Sequence, residues 1–150
     1  MSAEIRAAMG WKQVLVLANS EVELLITLDV GPRIISYRRH GGLNVFKTFD
    51  DQLGKFGEAD WQIRGGHRLW VAPETPSSYF PDNQPVSFTI MDENHVCLRT
   101  PAEAESGIEK EIEIILDETT SSVALNHSIT AARTMSSGIA PWGLTVFKPG

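Results

Sequence analysis

One cysteine, Cys97, is all the chain has in 150 residues. That rules out an internal disulfide and a thiolate metal cluster. Lying between Val96 and Leu98, it reads as a small buried apolar residue. Basic residues are also in short supply: 13 Lys and Arg stand against 19 Asp and Glu, for a formal net charge of −6. A nucleic-acid phosphate binder needs a basic face, so no nucleic-acid partner is expected. No segment approaches the roughly 20 apolar residues of a membrane-spanning helix. The first residues carry Glu4 and Arg6 and lack the apolar run of a signal peptide. No membrane partner is therefore expected, and the default compartment is the cytoplasm. The four histidines (His40, His67, His95, His127) are far apart, with no His-x-His pair, so neither a metal site nor a cofactor is predicted. Nucleotide loops of the Walker or Gly-x-Gly-x-x-Gly kind and the Gly-x-Ser-x-Gly elbow are missing too.

What is present is period-two alternation. Val22, Leu24, Ile26, Leu28 and Val30 interleave with Glu21, Glu23, Thr27 and Asp29, the pattern of a half-buried strand. Ile108, Ile112, Ile114 and Leu116 alternate with Glu109, Glu111 and Glu113, and Val123, Leu125, His127 and Ile129 share another face. Further strands are predicted over 11–17, 33–39, 43–47, 86–90, 95–100 and 142–147. His40-Gly41-Gly42 reads as a hairpin turn, and residues 48–60, 75–85 and 131–139 as loops. Pro76, Pro81 and Pro85 keep residues 75–85 out of any central strand. Alanines at 3, 7 and 8 predict one short helix over 2–9, ended by Gly10. The class that follows is all-β, an antiparallel β-sandwich in a single domain over residues 1–150.

The densest chemistry lies in Arg64-Gly65-Gly66-His67-Arg68-Leu69-Trp70-Val71-Ala72-Pro73-Glu74. Two glycines allow a bend or a close backbone approach, and an imidazole, guanidiniums, an indole and a carboxylate follow. This mixture suits a polar ligand with an apolar face, such as a sugar; the plain alternative is a bulged strand with a core tryptophan. His67 either meets a sugar hydroxyl and moves a proton near neutral pH, or caps the bulge on a backbone carbonyl. His127 alternates with apolar residues, the pattern of a satisfied core histidine. Glu74 is the carboxylate nearest His67 in sequence, and also a candidate rim residue or partner for Arg64 or Arg68. Trp70 and Trp142 could stack on a sugar face, with at least one expected in the core. Arg33 is either paired in a cleft or solvated at an edge.

This block, with Trp61-Gln62-Ile63-Arg64 before it and Tyr79-Phe80-Pro81-Asp82-Asn83 after it, resembles the galactose mutarotase-like superfamily, in particular a bacterial branch of longer, aldose 1-epimerase-like chains. Gly31-Pro32-Arg33-Ile34-Ile35 with Asn44-Val45-Phe46 is similar to the family's early segment. Asn126-His127-Ser128 and Ala140-Pro141-Trp142-Gly143-Leu144-Thr145-Val146 are similar to a later strand pair. The resemblance implies a large β-sandwich, the supersandwich of that family, with a sugar-sized cleft. It implies a carbohydrate ligand and anomer interconversion by His/Glu acid–base chemistry. Catalytic candidates are then His67, His127 and Glu74, and substrate-binding candidates Arg33, Arg64, Arg68, Trp70 and Trp142. The sequence departs from the pattern at Ile129, where an aromatic residue is expected after Ser128. The family's glutamate base lies near the end of longer chains, which implies that these 150 residues match an N-terminal half. Alternatives are a non-catalytic sugar-binding or regulatory module, or a structural sandwich that pairs with another chain. Open sheet edges predict self-association.

Overall fold

The computed structural model describes residues 2–150. Ten strands follow in order: β1 (Ser2–Ala8), β2 (Trp11–Ala18), β3 (Val22–Thr27), β4 (Arg33–Arg39), β5 (Gly66–Ala72), β6 (Ser87–Asp92), β7 (His95–Arg99), β8 (Ile108–Leu116), β9 (Val123–Ala131) and β10 (Ala140–Val146). They form two antiparallel sheets, one ordered β1-β2-β3-β4-β5-β10 and one ordered β6-β7-β8-β9. The all-β sandwich expected from the alternation is what the chain adopts.

The core lies between the sheets. Leu15, Leu17, Leu24, Ile26, Ile34 and Leu69 of the larger sheet meet Val96, Leu98, Ile112, Ile114 and Leu116 of the smaller. Strand β8 shows the predicted pattern, with Ile108, Ile112, Ile114 and Leu116 buried and Glu109, Glu111 and Glu113 on the wetter side. The larger sheet is also covered on its outer face. Trp11, Val14, Val16, Leu25 and Ile35 pack there with Leu53, and the Trp11 indole donates to the Lys55 carbonyl at 2.9 Å. Burial on both faces explains the unbroken apolar run Val14-Leu15-Val16-Leu17 in β2.

Two expectations need correction. Residues 2–8 are a strand, not a helix. Ala8 pairs with Trp11, so Met9-Gly10 form a two-residue hairpin turn, with positive φ at both (51° and 89°). That is the turn geometry whose twist suits a hairpin. Pairing with β2 outweighs the helix preference of three alanines. Residues 43–47 form no strand; they contribute only an isolated bridge from Phe46 to Phe147, beside another from Thr48 to Gly65.

The glycine pair has a steric cause. A Cβ on Gly65 would sit 2.0 Å from the Lys47 carbonyl oxygen, and one on Gly66 would sit 2.2 Å from that of Ile34. The chain wedges itself between β4 and the 46–48 segment on its way into β5, and only residues without a side chain fit.

Candidate functional site

Strand β5 puts alternate residues on opposite faces of the larger sheet, and this splits the sequence-predicted site in two. His67 points inward with Ile34, its register partner on β4. Arg68 and Trp70 point outward. The candidate residues therefore do not gather in one cleft.

On the inner side, two histidines meet. Thr145 lies directly opposite His67 across the β5–β10 ladder, and His67 Nδ1 is 2.7 Å from Thr145 Oγ1. His127 on β9 faces it from the other sheet, with the two Nε2 atoms 2.8 Å apart. The ring planes are inclined at 58° with centroids 5.0 Å apart. Burial, reinforced by the neighbouring His127, lowers the His67 pKa to about 4. Burial also lowers that of His127. Both rings are therefore neutral at pH 7. One Nε2–H donates to the lone pair of the other, and the tautomers of the two rings are tied together. His127 Nδ1 has no hydrogen-bond partner among the described residues, so Thr145 Oγ1, His67 and His127 make a three-member relay ending at that nitrogen.

Gly143 places no side chain over this pair, of which His67 is buried and His127 half-buried. A Cβ there would lie 3.4 Å from His67 Cε1 and 3.5 Å from His127 Nε2. Gly143 and Thr145 are themselves exposed. Next to the pair lies an inter-sheet cavity of about 270 Å³, walled mainly by Leu24, Ile34, Phe46, Leu125 and Phe147, with His67 and Thr145 among its polar lining. A second cavity of about 360 Å³ touches the far end of β5 at Val71. Among its lining are Thr75, Ser77, Arg133 and the buried ion pair of Lys110 with Glu103.

On the outer side the arginines form a scaffold. Arg33 is fully buried; its Nη2 reaches both Asp82 carboxylate oxygens at 3.1 and 3.0 Å, and its Nη1 donates to the Ile63 carbonyl. Arg68 Nη2 shares Asp82 Oδ2 at 3.0 Å. Burial alone would raise the Asp82 carboxyl, but the guanidiniums of Arg33 and Arg68 outweigh it and hold the pKa below the usual range. Burial likewise lowers Arg33 to about 10 against the pull of Asp82. Arg64, also fully buried, is paired with Glu58 at 2.7 Å and donates to Asn83 Oδ1 and the Gln52 carbonyl.

Three tryptophans stack beside this network. Trp70 lies between Trp61 and Trp142, each 5.7 Å away and within 16° of parallel, and the Arg68 guanidinium sits 4.8 Å over the Trp61 ring. Trp70 is core; Trp142 ends the stack and is 36% exposed. Glu74 accepts a hydrogen bond from the Tyr79 hydroxyl and is paired with neither histidine nor arginine among the described residues. Thr145, Gly143 and Asp82 escaped the sequence reading. The alternation Gly143-x-Thr145 facing a histidine strand was the available signal for the first two; Asp82, in a proline-rich loop, gave none.

Comparison with protein-family models, with curated proteins and with solved structures finds no match for this chain.

Proposed function

We propose that the chain is an aldose 1-epimerase-like carbohydrate-binding domain, and that its sugar enters at the seam between β9 and β10 and exchanges protons with His67 and His127. The observation that carries this reading is the histidine pair. Two neutral imidazoles, 60 positions apart in sequence and on different sheets, stand Nε2 to Nε2 at 2.8 Å where no side chain of Gly143 covers them.

Opening a sugar hemiacetal moves two protons: one leaves the anomeric hydroxyl and one reaches the ring oxygen. A neutral relay suits that exchange. His127 Nδ1 takes the anomeric proton as its Nε2–H passes to His67 Nε2, the His67 Nδ1–H passes to Thr145 Oγ1, and the Thr145 hydroxyl gives its own proton, through water, to the ring oxygen. Charge never accumulates on the half-buried rings, and a relay of this kind serves as acid and base at once. The apolar wall of the neighbouring cavity offers contact to the C–H face of the sugar. Glu74, held by Tyr79, takes no part in this scheme. That its carboxylate is bonded to Tyr79 and to neither histidine among the described residues favours the second reading, sugar binding without chemistry.

Polarimetry on freshly dissolved α-anomers of aldohexoses tests the proposal. Wild-type protein is expected to speed anomer interconversion in proportion to its concentration. His127→Gln should abolish the acceleration, and Gly143→Leu should block it with both histidines intact. Saturable sugar binding by NMR without acceleration supports the non-catalytic reading; neither binding nor acceleration refutes both.

A further inference from the structure

Each sheet ends in two edge strands, and the four edges are built differently. At one side of the sandwich lie β1 and β6. Strand β1 carries the exposed charges Glu4 and Arg6, and β6 ends in Asp92. Both are also irregular: the register of β1 shifts between Arg6 and Ala8, and that of β6 between Ile90 and Asp92. Charges and bulges are the devices by which edges refuse further strands.

The other two edges have neither; their one blunting device is Pro141 near the start of β10, which offers no N–H and leaves pairing along that edge to 142–146. Strand β9 (Val-Ala-Leu-Asn-His-Ser-Ile-Thr-Ala) and strand β10 (Ala-Pro-Trp-Gly-Leu-Thr-Val) contain no charged residue. Their ladders with β8 and β5 run without a shift in register. They lie against each other at the seam, where His127 meets His67 and a Gly143 Cβ would touch both rings. Val123, Leu125 and Ile129 of β9 face the core but are only partly buried. Phe147, just past β10, is 63% exposed.

We propose that β9 and β10 together are a strand-addition surface, and that its occupant is a second copy of this chain. A two-fold axis perpendicular to the sheets, passing beside both edges, turns each strand antiparallel to its copy. It pairs β10 with β10 and β9 with β9 in one step, extending both layers across the dimer. Such an interface is isologous and closed, so it ends at two copies. It engages the seven residues of β10 and the nine of β9 from each copy, together with flanking groups such as Phe147, approaching the roughly 20–30 residues a side of a standard interface. A charge-free edge also brings no like charges face to face, which matters for two chains of net charge −6.

The test is sedimentation equilibrium at about 5–100 µM (the micromolar range in which exposed strand edges associate), with amide hydrogen exchange on the same samples. The wild type is expected to sediment at twice the 16.6 kDa chain mass, and protection should rise with concentration in β9 and β10 together. Ala124→Lys combined with Ser128→Lys puts charges on exposed positions of the β9 edge, close to their copies across the axis. The double variant is expected to be a monomer with an unchanged far-ultraviolet circular dichroism spectrum. A wild-type monomer throughout the range overturns the proposal. Open-ended polydisperse species, protection confined to one of the two edges, a double variant that still dimerises, or association only with a different chain overturns it equally.

Discussion

The charge network under β5 makes a sharp prediction about Asp82→Asn. The substitution keeps the shape of the side chain and removes one charge. In the native fold that charge serves Arg33, whose side chain is 0% exposed, and Arg68, at 6%. Each would keep its bond to a backbone carbonyl, Ile63 for Arg33 and Gln62 for Arg68, but both cations would be left without a carboxylate. Breaking a buried ion pair from one side costs about 3–5 kcal/mol, because the uncompensated charge stays behind. For a chain of this length, where each kcal/mol moves Tm by roughly 2–4 °C, melting should fall by roughly 6–20 °C. Urea denaturation and calorimetry at pH 7 would both measure it. The sign of the pH dependence adds a control. The Asp82 pKa is depressed in the folded state, so its contribution is present above the unfolded value near 3.8 and is lost as pH falls through the folded one. The Asn variant should lack that share of the acid sensitivity. A loss below about 1 kcal/mol, the range of ordinary surface changes, would mean that the arginines do not depend on Asp82. The scaffold reading of Arg33 and Arg68 would then fail.

His67, with a folded pKa of about 4 against 6.5 unfolded, should contribute stability that is complete above pH 6.5 and lost as pH falls from 6.5 to 4; at about 1.4 kcal/mol per unit the change is about 3 kcal/mol or somewhat less after solvent screening. His67→Gln should flatten that part of the urea-midpoint-versus-pH curve, and a ring that titrates near 6.5 by NMR would refute the buried-pair geometry. Gly66→Ala places a Cβ 2.2 Å from the Ile34 carbonyl oxygen at a φ of 74°, so thermal melts should show severe destabilisation or no fold. Gly41→Ala, also at positive φ but with nothing within 4 Å, should cost only about 1 kcal/mol.

The fold was legible wherever one strand face is wet. Period two in β3, β8 and β9 was enough to assign strands, because water on one side forces alternation. It faded where both faces are covered, as in β2, and failed for residues 2–8, where alanine spacing suggests a helix that a hairpin partner 10 residues away overrides. The candidate site was half legible. His127 stood out as a histidine in apolar company and His67 by the glycine pair before it and the arginine after it, but their meeting depends on how the two sheets stack, which no local spacing encodes. The arginines were misleading in a physically intelligible way. Strand alternation sends Arg68 and Trp70 to the face opposite His67, so a dense run of polar residues in sequence became two separate environments in space.

The two proposals meet at Gly143. A sugar that reaches the histidine pair needs the seam between β9 and β10 open, and a second copy pairing along the same two strands narrows it. If one event excludes the other, linkage requires the effect to be reciprocal: whatever factor pairing takes from sugar affinity, sugar must take from the dimer constant. If pairing instead leaves a channel at Gly143, the added copy strips water from the two imidazoles and the His67 pKa should fall further, since burial is the first cause of its present depression. Dilution separates the cases. In the exclusive case, sugar affinity rises as the chain is diluted and Gly143→Leu weakens sugar binding in the monomer as well. In the permissive case, affinity is independent of concentration while the His67 titration shifts with it. A result in which both affinity and titration ignore concentration would detach the strand edges from the histidine pair, and would mean that the absence of a side chain at Gly143 serves the pair alone.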